Sequence, residues 1–97
     1  MTKADIIREV SSMTGLTKVE VEVVLEGIII SIVDSLKRGD RVDIRGFGSF
    51  IVKHRSARDA RNPATSEVVK LKDRFIPSFK VSKILKEDVN HSRLKEF

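Results

Sequence analysis

Cysteine, tryptophan and tyrosine are all absent from this sequence, and proline occurs only twice. Without cysteine there are no disulfide staples, no thiolate-bound zinc and no thiol nucleophile, so stability must come from burying apolar surface. Histidine is nearly missing too. With His54 and His91 alone, no convincing metal cluster can be assembled. Asp40 and Asp43 flank a strand start and imitate a carboxylate pair, but an Asp after Gly39 suits a turn. Gly46-Phe47-Gly48 lacks the helix that follows a nucleotide-binding loop. An enzyme therefore has little to stand on, and no metal or cofactor is expected. A long apolar run is also lacking: the longest, around Ile28-Ile29-Ile30, is interrupted by Ser31 and Asp34, and Met1-Thr2-Lys3-Ala4-Asp5 is no secretory start. The expected setting is the cytoplasm, without a membrane partner.

What is present suits one small folded domain. The 97 residues are 40% hydrophobic and 34% charged, too apolar for a disordered tail. Lys and Arg number 19 against 14 Asp and Glu, a net charge of +5, which favours a polyanionic partner or surface. The charge is divided unevenly. Residues 1–40 hold 5 basic and 7 acidic residues, net −2, whereas residues 41–97 hold 14 and 7, net +7.

Two helix starts are written locally. Thr2 precedes Lys3-Ala4-Asp5 and Thr17 precedes Lys18-Val19-Glu20, so each Thr can accept from the first turn while the carboxylate three residues on answers back. The first helix turns Ile6, Ile7 and Val10 inward and stops at Thr14-Gly15. The second runs from Thr17 to about Arg38, with Gly39 ending it. It carries two apolar stripes, one through Val21, Val24/Leu25, Ile28, Ile32 and Leu36, the other through Leu16, Val19, Val23, Ile30 and Val33. Such a helix needs cover on more than one side, and the rest of the chain has little to offer. The expected cover is a second subunit.

From Arg41 the apolar period becomes two. Arg41-Val42-Asp43-Ile44-Arg45, a Gly46-Phe47-Gly48 turn and Ser49-Phe50-Ile51-Val52-Lys53 form a hairpin. Residues 53–75 lose the alternation and cannot bury themselves. The turn-rich Arg61-Asn62-Pro63-Ala64-Thr65-Ser66 in their middle predicts the tip of a protruding β-arm. Ile76-Pro77-Ser78-Phe79-Lys80 returns as a strand, with Pro77 demanding an edge or strand-end position. Ser82 caps a last helix expected to reach about residue 90, leaving 91–97 as a tail without an assigned role.

If the arm closes at Asn62 to Thr65, Lys53 faces Arg74, Arg55 faces Lys72 and Ala57 faces Lys70, and one side becomes a cationic strip. Like charges opposite each other are costly unless an anion such as a phosphate backbone lies along them. The plainer reading is a solvated edge that resists aggregation. Pro63 likewise either fixes a turn or, between Arg58 and Arg61, acts as a rigid apolar wedge in a minor groove. A basic module docking on acidic protein partners is the alternative function, and salt dependence separates the two.

Gly46-Phe47-Gly48-Ser49-Phe50, Arg55, Arg58, Arg61-Asn62-Pro63, Thr65-x-Glu67, Pro77-x-Phe79-Lys80 and Lys83 together resemble the bacterial histone-like HU and integration host factor family, over roughly residues 1–90. The resemblance implies an α+β fold: an intertwined dimer with a two-helix base at 1–40, a three-stranded antiparallel sheet within 41–81 extending into a β-arm at about 53–75, and a short C-terminal helix at 82–90. It implies an architectural protein of the nucleoid that bends double-stranded DNA, a proline wedge entering the minor groove from each arm. Phe47, Phe50 and Phe79 match dimer-core aromatics, and Pro63 the intercalating proline. Arg55, Arg58, Arg61 and Asn62 match arm positions at the groove. Lys80, Lys83 and Lys86 match basic positions at the saddle floor and last helix, and Lys3 a terminal phosphate contact. Lys53, Lys70, Lys72 and Arg74 join this DNA-binding set through the strip. Ala60, Ser66 and Ser82 stand where the family usually has Gly; at Ser66 a positive φ would cost on the order of 1 kcal/mol. Pairing with itself or with a paralogue, and non-specific or site-specific binding, both stay open.

Overall fold

A computed structural model describes residues 1–95, and these fall into two compact units that meet between Ser35 and Leu36. In the first, helix α1 (Lys3–Thr14) begins on a capping box: the Thr2 side chain accepts from Asp5 N–H, and the Thr2 N–H donates to Asp5 Oδ2 at 2.8 Å. It ends where Gly15, at φ 79°, donates to Ser11 O, the left-handed stop that only Gly adopts cheaply. Helix α2 (Lys18–Lys37) starts on the same device, with Glu20 N–H donating to Thr17 Oγ1 at 3.1 Å and Thr17 N–H to Glu20 Oε1 at 3.3 Å. Both sequence-level starts are met.

Burial along α2 is uneven, and Val24 and Ile28 of the first stripe stand 55% and 51% exposed. Val21 is buried and Leu25, Ile32 and Leu36 are half-buried, whereas Val19, Val23 and Ile30 stand 70%, 64% and 59% exposed. Val21 is the one buried hydrophobic residue among those described.

In the second unit, β1 (Val42–Ile44), β2 (Gly48–Arg55) and β5 (Arg74–Val81) form an antiparallel sheet ordered β1-β2-β5. Pro77 therefore lies on an edge strand, opposite Val52, where its missing N–H costs nothing to the ladder. The β1–β2 turn is closed by Phe47 N–H donating to Ile44 O, with Gly46 at φ 81° in the third turn position. Gly48 is needed for a different reason: a Cβ there would meet Lys80 O and the Phe79 ring at 2.5 Å. The backbone passes under Phe79, whose ring centroid lies 5.0 Å from that of Phe47 and 4.9 Å from that of Phe50, a cluster of tilted aromatic contacts.

Strands β3 (Arg58–Arg61) and β4 (Val68–Leu71) form a separate two-stranded antiparallel sheet. The expected arm is thus a hairpin, but in two pieces: the ladder is interrupted at Ser56-Ala57 and Lys72-Asp73, where Ala57 N–H donates to Asp73 Oδ1. The expected register is also corrected by two residues. Arg55 pairs with Arg74, Lys53 with Ile76 and Asp59 with Lys70, and the numbering of each pair advances consistently on both sides of the interruption. The shift arises at the tip, which closes at Asn62 and Glu67 rather than at Asn62 and Thr65: Asn62 N–H donates to Glu67 O at 2.8 Å and Ser66 N–H to Asn62 O at 2.7 Å.

Helix α3 (Lys83–Leu94) is capped by Ser82, whose hydroxyl accepts from Leu85 N–H at 3.1 Å. It runs four residues past the expected end at 90. His91-Ser92-Arg93-Leu94 carry no Gly or Pro, and basic His91 and Arg93 favour the last turn of a helix. Of the expected tail, residues 96 and 97 lie outside the described residues. No helix of the described chain is long and apolar enough to cross a membrane.

Candidate nucleic-acid interface

The tip of the β3–β4 hairpin is built by Asn62. Its carbonyl closes the turn to Ser66, and its Oδ1 accepts from Ala64 N–H at 2.9 Å, an Asx turn that brackets Pro63. Ser66 then sits at φ 61°, the left-handed conformation that costs a non-glycine residue on the order of 1 kcal/mol. Pro63 is exposed at the apex, and Arg61 is exposed on the strand leading into it. The Pro63 ring has no rotatable reach, and the bond from Ala64 N–H to Asn62 Oδ1 ties its two neighbours together.

Behind the tip the hairpin has unlike faces. Arg58, Ala60, Val69 and Leu71 share one, with Ala60 and Leu71 half-buried; Asp59, Arg61, Val68 and Lys70 share the other. The cationic strip is consequently not continuous. Asp59 opposite Lys70 is an opposite-charge pair, which stabilises a strand pair rather than straining it. Lys53 faces an isoleucine, and Lys72 lies in the interruption, unpaired in the ladder. Arg55 and Arg74 are the like-charge pair that remains.

At the other end of the sheet a concavity of about 530 Å³ is lined by Arg41, Asp43, Arg45, Lys80 and Lys83, among others. Ser49 and Arg41 both donate to Asp43 Oδ1, the Arg41 Nη2 from 2.9 Å. These hydrogen bonds, first from Ser49 and then from Arg41, hold the Asp43 carboxyl below the usual carboxylate range. Arg45 stands beside this network at the turn. Arg41 and Arg45 are not among the expected contacts; their alternation with Asp43 along one edge is visible in the sequence, but only the pairing of Ser49 with Lys80 brings them to Lys80 and Lys83.

The remaining expected residues are dispersed. Lys3 lies in the other unit and donates to Glu26 Oε1 at 2.9 Å, which raises its pKa above the usual ammonium value. Lys83 stands 3.9 Å from Glu87 Oε1, and Lys86 is exposed on α3. Phe47 and Phe79 remain 45% and 41% exposed although their rings are in tilted contact. Among the described residues no group of three His, Cys, Asp or Glu is placed to hold a metal ion.

Comparison with known proteins agrees with this geometry. Residues 1–90 match the family described as bacterial DNA-binding protein. The chain is 44% identical to integration host factor subunit beta of Marinobacter nauticus, with both chains covered in full. It is 41% identical to DNA-binding protein HU-beta of Serratia marcescens over 93% of this chain and 100% of that one. Among solved structures, the HU chain of an Anabaena HU–DNA cocrystal superposes with a TM-score of 0.82 at 32% identity, covering 92% of this chain and 97% of that one. HU from Thermotoga maritima gives 0.65 at 30% identity, with 92% and 98% covered. The helix pair, antiparallel sheet, tip sequence and C-terminal helix therefore place the chain in the bacterial DNA-binding protein family of HU and integration host factor.

Proposed function

We propose that this chain is an architectural protein that binds and bends duplex DNA as a dimer, gripping the minor groove with its hairpins and wedging Pro63 into a base step. The observation that carries the proposal is the hairpin tip: an exposed, hydrogen-bond-braced Asn62-Pro63 turn with Arg61 beside it and Arg58 on the same strand. Arginine favours the negative potential of a narrowed minor groove, and an apolar wedge lowers the cost of unstacking at a kink. Its relatives' names point the same way, since the cocrystal neighbour holds DNA. The protein acts by binding, without catalysing a reaction, and works on nucleoid DNA.

The dimer follows from what a single chain leaves uncovered. With Val21 the one buried hydrophobic among the described residues, and Val19, Val23 and Ile30 more than half exposed, one copy lacks the covered core that folding requires. A second copy, or a paralogue with the same stripe, supplies it.

Bending a site of 20–30 bp by 40–90° costs on the order of 1–6 kcal/mol, offset by the contacts that the bend allows. Removing the wedge should therefore alter shape more than affinity. Pro63→Ala is expected to reduce the bend angle in a fluorescence-transfer assay on an end-labelled duplex, with only a moderate loss of affinity; an unchanged angle removes the wedge. Phosphate binding itself is checked by salt. A protein engaging 6–10 phosphates loses roughly 10³–10⁵ in affinity between 50 and 200 mM salt, whereas salt-insensitive binding, or capture by an acidic protein in the presence of duplex competitor, overturns the reading.

A further inference from the structure

The arm is a ladder at both ends and a gap in the middle. The β2–β5 ladder stops at the pair Arg55 and Arg74, and the β3–β4 ladder resumes at Arg58 and Leu71. Two residues of each strand lie between, Ser56-Ala57 on one and Lys72-Asp73 on the other. The gap is therefore no bulge, since neither strand carries an extra residue. All four residues are exposed, so none of them locks one ladder to the other by burying its side chain. A polar side chain crosses the gap instead: Asp73 Oδ1 accepts from Ala57 N–H, the part that a backbone carbonyl plays in an unbroken ladder. A hydrogen bond to a carboxylate is roughly twice as strong as one to a neutral acceptor. The same carboxylate works against an arm that attracts phosphate. It lies between Lys72 and Arg74 in the chain and offsets part of their charge.

We propose that Asp73 is a positioning residue: its carboxylate braces the gap and fixes the direction in which the tip hairpin leaves the body of the sheet, and with it the place where Pro63 meets the duplex. The proposal rests on the DNA-bending reading and names the residue that aims the wedge. Asp73 acts through the Ala57 amide and not on DNA, because phosphate repels a carboxylate. Pro63 lies six residues beyond Ala57, about 20 Å of strand. A swing of about 15° at the gap thus moves the tip by about 5 Å, more than the roughly 3.4 Å between successive bases of a strand. Without the brace the tip hairpin turns about four exposed residues, and the order that the bond supplies in the free protein has to be imposed on binding.

The test compares Asp73→Ala with Asp73→Asn in the full chain. Both remove the same charge and gain the same attraction for phosphate; only Asn keeps an oxygen that can accept from Ala57 N–H. In the free protein, hydrogen exchange of the Ala57 amide should quicken roughly tenfold in Asp73→Ala, about the weight of one such bond, and should change little in Asp73→Asn. On an end-labelled duplex at fixed salt, single-molecule fluorescence transfer should show a smaller and broader spread of bend angles for Asp73→Ala, whereas Asp73→Asn keeps the wild-type angle. Asp73→Ala should also bind roughly three- to tenfold more weakly than Asp73→Asn. Pro63→Ala should reduce the angle and leave exchange at Ala57 as it is. Equal bend angles for the two Asp73 variants, or an Ala57 amide indifferent to Asp73→Ala, overturns the brace. A wild type that does not bend duplex overturns the DNA-bending reading instead, and exchange at Ala57, measured without DNA, still decides whether Asp73 holds the gap.

Discussion

The helical residues 1–40 and the strand-rich residues 41–97 expose opposite chemistries. The first carry a net charge of −2 and present bare valine and isoleucine, Val19, Val23 and Ile30 foremost. The second carry +7 and present arginine and lysine around a braced tip. Exposed apolar stripes gain by covering one another and lose little by being mildly acidic; exposed cations gain by meeting phosphate. The difference is the one that the proposed dimer and the proposed duplex contact require of a single chain: an apolar stripe for a second copy and a cationic surface for phosphate.

Breaking the apolar side should have the largest effect. Ile30→Glu puts a carboxylate into the stripe proposed to be covered by a second copy, and in that dimer it forfeits about 1.5–3 kcal/mol of burial in each protomer before any cost of burying charge. The dimer dissociation constant should rise roughly a hundredfold or more. Sedimentation should show monomer, and thermal unfolding, concentration-dependent in the wild type because assembly stabilises the fold, should shift sharply downward. An unchanged mass and melting temperature would mean that the stripe is not the interface.

Arg61→Gln, set against Lys18→Gln, tests the other side of the comparison. Arg61 lies beside the tip, while Lys18 lies at the start of α2 in the acidic half. Every phosphate that a variant leaves unneutralised lowers the slope of log affinity against log salt by about 0.9. Arg61→Gln should therefore reduce the slope by about 2 for a dimer with two arms, and Lys18→Gln should leave it alone. Equal slopes for both variants would show that the cations of the second half are only a solvated edge.

How much of this is legible in the sequence depends on the range over which each feature is decided. The helix starts at Thr2 and Thr17 are readable because a capping box closes within four residues. The edge position of Pro77 is readable because proline lacks the donor that an inner strand needs. The arm register differs by two residues from the expected one because the tip closes between Asn62 and Glu67; the resemblance flags Ser66 for a positive φ, which it adopts at 61°, but that flag does not say which residues close the turn. The interruption at Ser56-Ala57 is hidden as well. It depends on Asp73, far along the chain, taking the Ala57 N–H. The same holds for Arg41 and Arg45, ordinary strand-edge residues until register sets them beside Lys80 and Lys83.

The smallest effect should come from acid, and it compares one carboxylate from each half. Asp5 is held below the usual carboxylate range first by the Thr2 backbone N–H, then by the Thr2 hydroxyl and Arg8; Asp43 is held low by Ser49 and Arg41. A carboxylate lowered on folding contributes stability that is fully present above its unfolded value of about 3.9 and is lost as pH falls through the folded value. Wild-type melting temperature should therefore decline as pH falls below about 4. Asp5→Asn should melt lower than wild type near neutrality, with the two curves converging under acid. Both groups are exposed, so solvent screens the gain and the separation should stay small. Asp43→Asn should show the same convergence and, by releasing Arg41 from its carboxylate, alter duplex affinity as well; Asp5→Asn should leave duplex affinity unchanged. If both substitutions moved affinity alike, the two halves would not be separate surfaces.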